Sequence, residues 1–195
     1  MMKKIIVFAW VVLLLGACGE KDLKFYPTFE ESITIPVDNE VVSEFKGTIL
    51  ASDISNAIDD VLDQTDGEIE SVNIEALWFV VKPLANNKVQ KATCDVFIKS
   101  WTSGEYKQIL EDYEIKVDKD LKQTPLNELM KDGVDELVAQ LDAIAKGNES
   151  QDITFKIEDV VEVVELEGEE EKRVHVDVMV NVRGTVTFAQ TVEML

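Results

Sequence analysis

The stretch Arg173-Val174-His175-Val176-Asp177-Val178-Met179-Val180-Asn181-Val182-Arg183-Gly184-Thr185-Val186-Thr187-Phe188 alternates apolar and polar residues, with Gly184 keeping the register. Successive side chains on a strand point to opposite faces, so this pattern predicts a long strand with its valines on a core and Arg173, His175, Asp177, Asn181 and Arg183 toward water. One dry and one wet face is the habit of antiparallel sheets. The rest of the chain is read outward from this strand.

Upstream, 152–166 predicts a partner strand, joined to the first by the acidic run Glu167-Gly168-Glu169-Glu170-Glu171, expected as a hairpin tip. Before it, Leu126, Leu129, Met130, Val134, Leu137, Val138, Leu141 and Ile144 recur at helical spacing. Thr124 is the expected cap, Pro125 the first helical residue and Gly147 the stop. A shorter helix is expected from Ser52, with Ile54, Ala57, Ile58, Val61 and Leu62 on one face and Asp66-Gly67 at its end. Ile33 and Ile35, the run 45–50, and three strands read as a meander (72–81, 92–98 and 106–117) complete the pattern. In the first of these, Val72, Ile74, Ala76, Trp78 and Val80 form the expected inner row.

The sum is an α+β fold, predominantly antiparallel, of about six or seven strands in a meander or sandwich with two helices packed on the sheet. A single domain over 29–195 is expected. A βαββ unit repeated over 45–101 and 106–188 is one way to read the element order.

The chain of 195 residues has 39 acidic against 19 basic side chains, a net charge of −20. A protein that grips phosphates needs a clustered basic surface, so no nucleic-acid partner is expected. Apolar residues make up 46%, enough for a core and against a disordered chain.

The N-terminus carries an address. Lys3 and Lys4 precede an uncharged run from Ile5 to Leu15, and Leu15-Gly16-Ala17-Cys18 follows. A basic region, a short apolar run and small residues are the parts of a secretory signal, and the run is too short to span a bilayer. With its cysteine, the segment resembles the lipobox of Gram-negative, Bacteroidetes-like lipoproteins. The resemblance covers only this segment. It implies a signal peptide over 1–17, lipidation at Cys18, a lipidated tether over 18–28 and attachment to the outer membrane. Gly19 stands where an inner-membrane retention signal would place Asp, and Glu20-Lys21-Asp22 faintly resembles a surface-export tether. The implied partners are the membrane, through the anchor, and other envelope proteins, on the periplasmic or the cell-surface side. Loss of 1–17 would leave 17 basic against 39 acidic side chains, a net charge of −22. Cys94 would then be the sole thiol, placed among Ala92, Val96 and Ile98 as a buried hydrophobe.

Chemistry is sparse. No phosphate-binding glycine loop, G-x-S-x-G elbow or H-E-x-x-H helix occurs, and nothing calls for a cofactor. His175 is the only histidine; with Asp177 on the same strand face it forms two thirds of a metal site, the basis of a metal-assisted hydrolase reading. Asp59, Asp60, Asp63, Asp66, Glu68 and Glu70 make an acidic run whose spacing fails as a calcium loop. The most informative feature is a second apolar row, Leu77, Phe79 and Val81 with Phe97 and Trp101, expected either under a cover or as a surface for an apolar ligand or partner. Joined by Leu129 and Leu137, that row could line a carrier cavity. The leading expectation is a non-enzymatic binding or structural module held at the outer membrane.

Overall fold

A computed structural model describes residues 20–62, 67–117, 123–125, 129–148, 150–165 and 173–193. Its elements, in chain order, are β1 (Glu20–Phe25), β2 (Thr28–Asp38), β3 (Glu44–Ile49), α1 (Ala51–Leu62), β4 (Glu68–Pro83), β5 (Val89–Lys99), β6 (Tyr106–Lys116), β7 (Gln123–Pro125), α2 (Lys131–Ala145), β8 (Ile153–Glu165) and β9 (His175–Glu193). The fold is α+β and every strand pairing among these is antiparallel. No described helix is long and apolar enough to cross a membrane.

The strands form two sheets. In one, β9 lies between β4 and a flank shared by β1 and β2, and β7 borders β4; the other runs β3-β8-β5-β6. The flank breaks at Tyr26-Pro27, where the Pro27 carbonyl accepts from the Val186 amide and so keeps the chain beside β9. The valine row of β9 is buried from Val176 to Val186, beside Phe29, Ile35 and Val37 of β2 and Leu77, Phe79 and Val81 of β4. Across the interior, the Phe79 ring meets the edge of Tyr113 from β6, with centroids 5.6 Å apart. One apolar cluster takes side chains from both sheets and both helices.

Two expected hairpins are absent. The chain leaves β4 in one sheet and enters β5 in the other, so 72–81 and 92–98 do not pair, and β8 and β9 likewise lie in different sheets. The step from β4 to β5 is pinned to β9: the Leu84 amide donates to the His175 carbonyl and the Lys88 amide to the Arg173 carbonyl. The meander is therefore reduced to β5 and β6. The tip at 167–171 lies outside the described residues.

The pairing pattern repeats between the halves. Taking β2-β3-α1-β4-β5 and β6-β7-α2-β8-β9 as units and exchanging them converts the order β2-β9-β4-β7 into β6-β5-β8-β3, which is the other sheet. In this exchange the counterpart of β3 is the short β7. Each sheet takes two strands from each of these units, and the larger sheet adds β1.

The second helix starts later than its sequence suggests. Gln123–Pro125 pairs with Trp78–Val80 as an edge strand, a position that tolerates a proline. The helix begins at Lys131, where the Met130 amide is held by the Ile109 carbonyl of β6. Leu126 lies outside the described residues. The helix ends as expected at Gly147, which has φ +88; the Gly147 amide donates to the Ile144 carbonyl and the Asn148 amide to that of Ala143, a Schellman closure. The first helix starts at Ala51, one residue before Ser52, and its first amide donates to the Asp152 carboxylate 2.9 Å away. A carboxylate 101 residues distant thus supplies the cap. Asp66 lies outside the described residues. The stretch expected as a tether to residue 28 already holds β1 from Glu20.

Beneath α2, the buried Glu136 carboxylate bonds to Lys107 (2.7 Å), Gln140 (2.8 Å) and the Trp101 amide (3.2 Å). Burial alone would raise its pKa, but the hydrogen bonds from Lys107, Gln140, Ser100 and Trp101 outweigh it and hold the group below the ordinary glutamate value. The helix also seats Gly133 against β6, where an added Cβ would fall on the Gln108 carbonyl oxygen and the Ile109 side chain. In an open helix, Gly to Ala gains about 1 kcal/mol. Here the sign reverses: Gly133→Ala is expected to lose about 1–3 kcal/mol through overpacking. Urea unfolding reads the outcome, and a variant more stable than the parent would sink the close seating of α2 on β6.

Candidate functional site

Two segments far apart in sequence meet in an open groove. Asp53, Asn56, Ala57, Asp60 and Val61 lie at three-and-four spacing along α1, beside the face that buries Ala51, Ile54 and Ile58. The start of β2 supplies the other wall with Thr28, Phe29, Glu30 and Glu31, and the space between measures about 480 Å³. Phe29 reaches its place because residue 184 is glycine: a Cβ there would strike the Phe29 ring. The valine strand therefore sets the floor of the groove.

The walls are acidic. Glu30 is paired with Arg183 at 2.8 Å, and Arg183 in turn lies 5.2 Å from the Trp78 ring centroid. For Glu31, Asp53 and Asp60 no cation lies within ion-pair distance among the described residues. Burial raises the Glu31 pKa; the Ser32 amide pulls it down and the nearby Asp53 charge pushes it up again. The groove is thus a concave field of negative charge in which Glu31, Asp53 and Asp60 have no neutralising cation among the described residues. Among the described residues no three His, Cys, Asp or Glu side chains converge as metal ligands, so the carboxylates are spread along the walls. That spacing suits an extended cationic group over a bare ion.

The second apolar row is not an open face. In β4 the register shifts between Ile69 and Ser71 and again between Ile74 and Ala76, which places bulges at Glu70 and Glu75. A one-residue bulge reverses which residues point inward. Val72 therefore faces the core before the second bulge, and Leu77, Phe79 and Val81 face it afterwards, all buried; Trp78 and Val80 go to the outer face. Phe97 stands on the outer face of the other sheet, its centroid 4.5 Å from the Lys156 ammonium, which also lies 4.6 Å from Tyr106 and pairs with Glu158. Trp101 packs at the margin of the core and its indole N–H donates to the Asp152 carbonyl at 3.0 Å. The five residues lie in three places, the β4 core face, the outer face of the other sheet and the core margin, so they do not form one face. Leu137 is buried in the core cluster and Leu129 packs against it.

His175 serves the backbone. Its Nδ1 donates to the Ala85 carbonyl at 2.7 Å and its amide donates to Asn87 Oδ1, fixing the connection between β4 and β5. Asp177 shares its strand face, but no third ligand joins them among the described residues. In the acidic run, Asp60 belongs to the groove, Glu70 pairs with Lys24 at 2.7 Å, and Asp63 and Asp66 lie outside the described residues. Cys94 is buried as a small hydrophobe, its thiol pushed up to about 12 by burial with a smaller push from Asp95, which removes it as a nucleophile at neutral pH. Of the groove's acidic residues, the sequence patterns point to Asp60 alone, while Ala57 and Val61 read as part of the apolar helix face. The spacing of Asp53, Asn56 and Asp60 on α1 was the available signal; its pairing with Glu30-Glu31 of β2 was not.

At the start of β9, Arg173 bridges Asp38 and Glu40, holding the end of β2. The Arg173 hydrogen bond draws the Asp38 carboxyl below its ordinary value. A depressed carboxylate adds stability that is present above its unfolded pKa and fades as pH falls through the folded one. Arg173→Leu is expected to return the Asp38 titration toward the usual aspartate range and to move acid unfolding to higher pH, both followed by carboxyl-carbon NMR; an unmoved Asp38 titration would dismiss the pairing. No protein-family model, curated protein sequence or solved structure matches this chain.

Proposed function

We propose that the protein is a lipid-anchored component of the bacterial outer membrane whose acidic domain is a non-enzymatic binding module for cationic segments of other envelope proteins. The observation that carries the binding half is the groove between α1 and β2, where Glu31, Asp53 and Asp60 face a 480 Å³ space without a cation of their own among the described residues. A basic, extended segment would replace water along both walls and offset the burial and, to a smaller extent, the Asp53 charge that raise the Glu31 pKa. Its lysine or arginine stems would lie over Phe29, Ala57 and Val61. The anchoring half is supported by the basic, apolar and small-residue order of residues 1–17 before Cys18.

The acidity of the whole domain steers such partners in from a distance and lifts their association rate. Specific seating must then come from the groove.

Titration of the mature chain with a decalysine probe is expected to show binding that weakens as added salt shortens the Debye length below about 10 Å. Asp53→Asn with Asp60→Asn is expected to weaken it about tenfold, the equivalent of about 1.4 kcal/mol. The exposed pair Glu105→Gln and Glu111→Gln removes the same charge away from the groove and is expected to change affinity far less. Equal losses in the two double variants, or no binding in either, would defeat the groove reading. For the anchor, Cys18→Ser is expected to move the protein from the membrane fraction to the soluble fraction.

A further inference from the structure

We infer that the β1 end of the domain is a membrane-contact face, on which Leu23, Phe25 and Tyr26 rest in the interfacial layer of the bilayer that holds Cys18. The inference rests on the reading of Cys18 as acylated and adds where the domain sits once anchored. Its first support is length. Gly19 is the sole residue between Cys18 and β1. An extended chain covers at most about 3.6 Å per residue, so Glu20 is held within about 7 Å of the acylated cysteine. The domain has no tether on which to stand off from the lipid.

The second support is what β1 presents. Phe25 is in register with Phe188 of β9, which is in turn in register with Ile69 of β4, so Leu23 and Phe25 continue the apolar inner row of the larger sheet. Phe188 is only 3% exposed, whereas Leu23 is 45% and Phe25 39% exposed: the inner row continues past the layers that cover it. Tyr26 follows at the flank break, 62% exposed. Three large apolar or aromatic side chains in a run of four, left open in a chain that buries most others, lie within eight residues of the anchor. That distance is at most about 29 Å even fully extended.

The chemistry of the partner follows. Tyrosine and phenylalanine favour the boundary between head groups and acyl chains, where a ring is dry and a phenol is wet. With the acyl chains already in the bilayer, contact costs no further loss of translational freedom, so partial burial of three side chains is enough to set orientation. The domain carries a large negative charge and would be repelled by anionic head groups, so a zwitterionic surface is the fitting one.

The test uses the acylated chain in phosphatidylethanolamine and phosphatidylcholine vesicles. Phe25→Trp is made, with Leu23→Trp as a second reporter in case the first perturbs β1, and Val161→Trp as a control at a site 52% exposed on the other sheet. Phosphatidylcholine brominated along its acyl chains quenches indoles buried about 5–10 Å into the interface. Emission of both β1 reporters, corrected for the parent chain, is expected to fall about twofold or more, while the Val161→Trp signal is unchanged. Acylated, vesicle-bound protein whose β1 reporters stay unquenched overturns the contact face, and so does burial of those reporters against a second copy of the chain. An intact mass showing no acyl group on Cys18 overturns the anchor reading and this inference with it.

Discussion

The structure depends on β9. One strand of 19 residues pairs on one side with β1 and β2 in succession and on the other with β4. Its inward valines, from Val176 to Val186, are buried, and each stands opposite an apolar residue on at least one neighbour for most of that length. Burying a valine side chain is worth about 1.5–3 kcal/mol, and valine loses little rotamer freedom on a strand, so the row is both adhesive and stiff. A one-residue slip would bring Arg183, Asn181, Met179 and Asp177 onto the core, so the row also fixes the register of every strand beside it. The groove inherits that precision, since Phe29 sits against Gly184 and carries Glu30 and Glu31 with it.

The outer faces of the two sheets use a common device. On the larger, Arg183 lies over Trp78 and pairs with Glu30; on the smaller, Lys156 lies between Phe97 and Tyr106 and pairs with Glu158. In each case a cation covers an outward aromatic and a carboxylate holds the cation. Such contacts contribute about 0.5–1 kcal/mol each where solvent is near. They also keep rings that the pleat sends outward from forming sticky patches.

Much of this was legible in the chain and part was not, for identifiable reasons. The β9 alternation, the α2 stripe from Val134 to Ile144 with its Gly147 stop, and the burial of Cys94 followed from periodicity, because each is a local pattern with a single physical reading. The inner row of β4 did not. A bulge depends on the partner strand, and Glu70 and Glu75 look like ordinary outward residues, so alternation carried on past Glu75 puts Trp78 and Val80 inside in place of Leu77, Phe79 and Val81. The choice of partner was equally hidden, as adjacency in sequence suggested β4 with β5 and β8 with β9. Thr124-Pro125 is a good helix start by local rules and became an edge strand through its pairing with β4. The groove combines a helix face that the spacing discloses with a strand end that it does not.

The strand arrangement also bears on the order in which the protein can form. Each sheet takes strands from both halves, and β9, which completes the larger sheet, is the last of the described elements in chain order. Until it arrives, β1, β2 and β4 have no common partner and Phe29, Ile35, Leu77 and Phe79 have no valine row to bury against. Pairings of such long sequence separation fold slowly, because loop closure precedes the contacts that reward it. A polypeptide emerging from its N-terminus therefore has no early stopping point at which half of it is folded. The closing strand thus acts as a timer: the leading portion stays pliable until β9 arrives, and compaction waits for it.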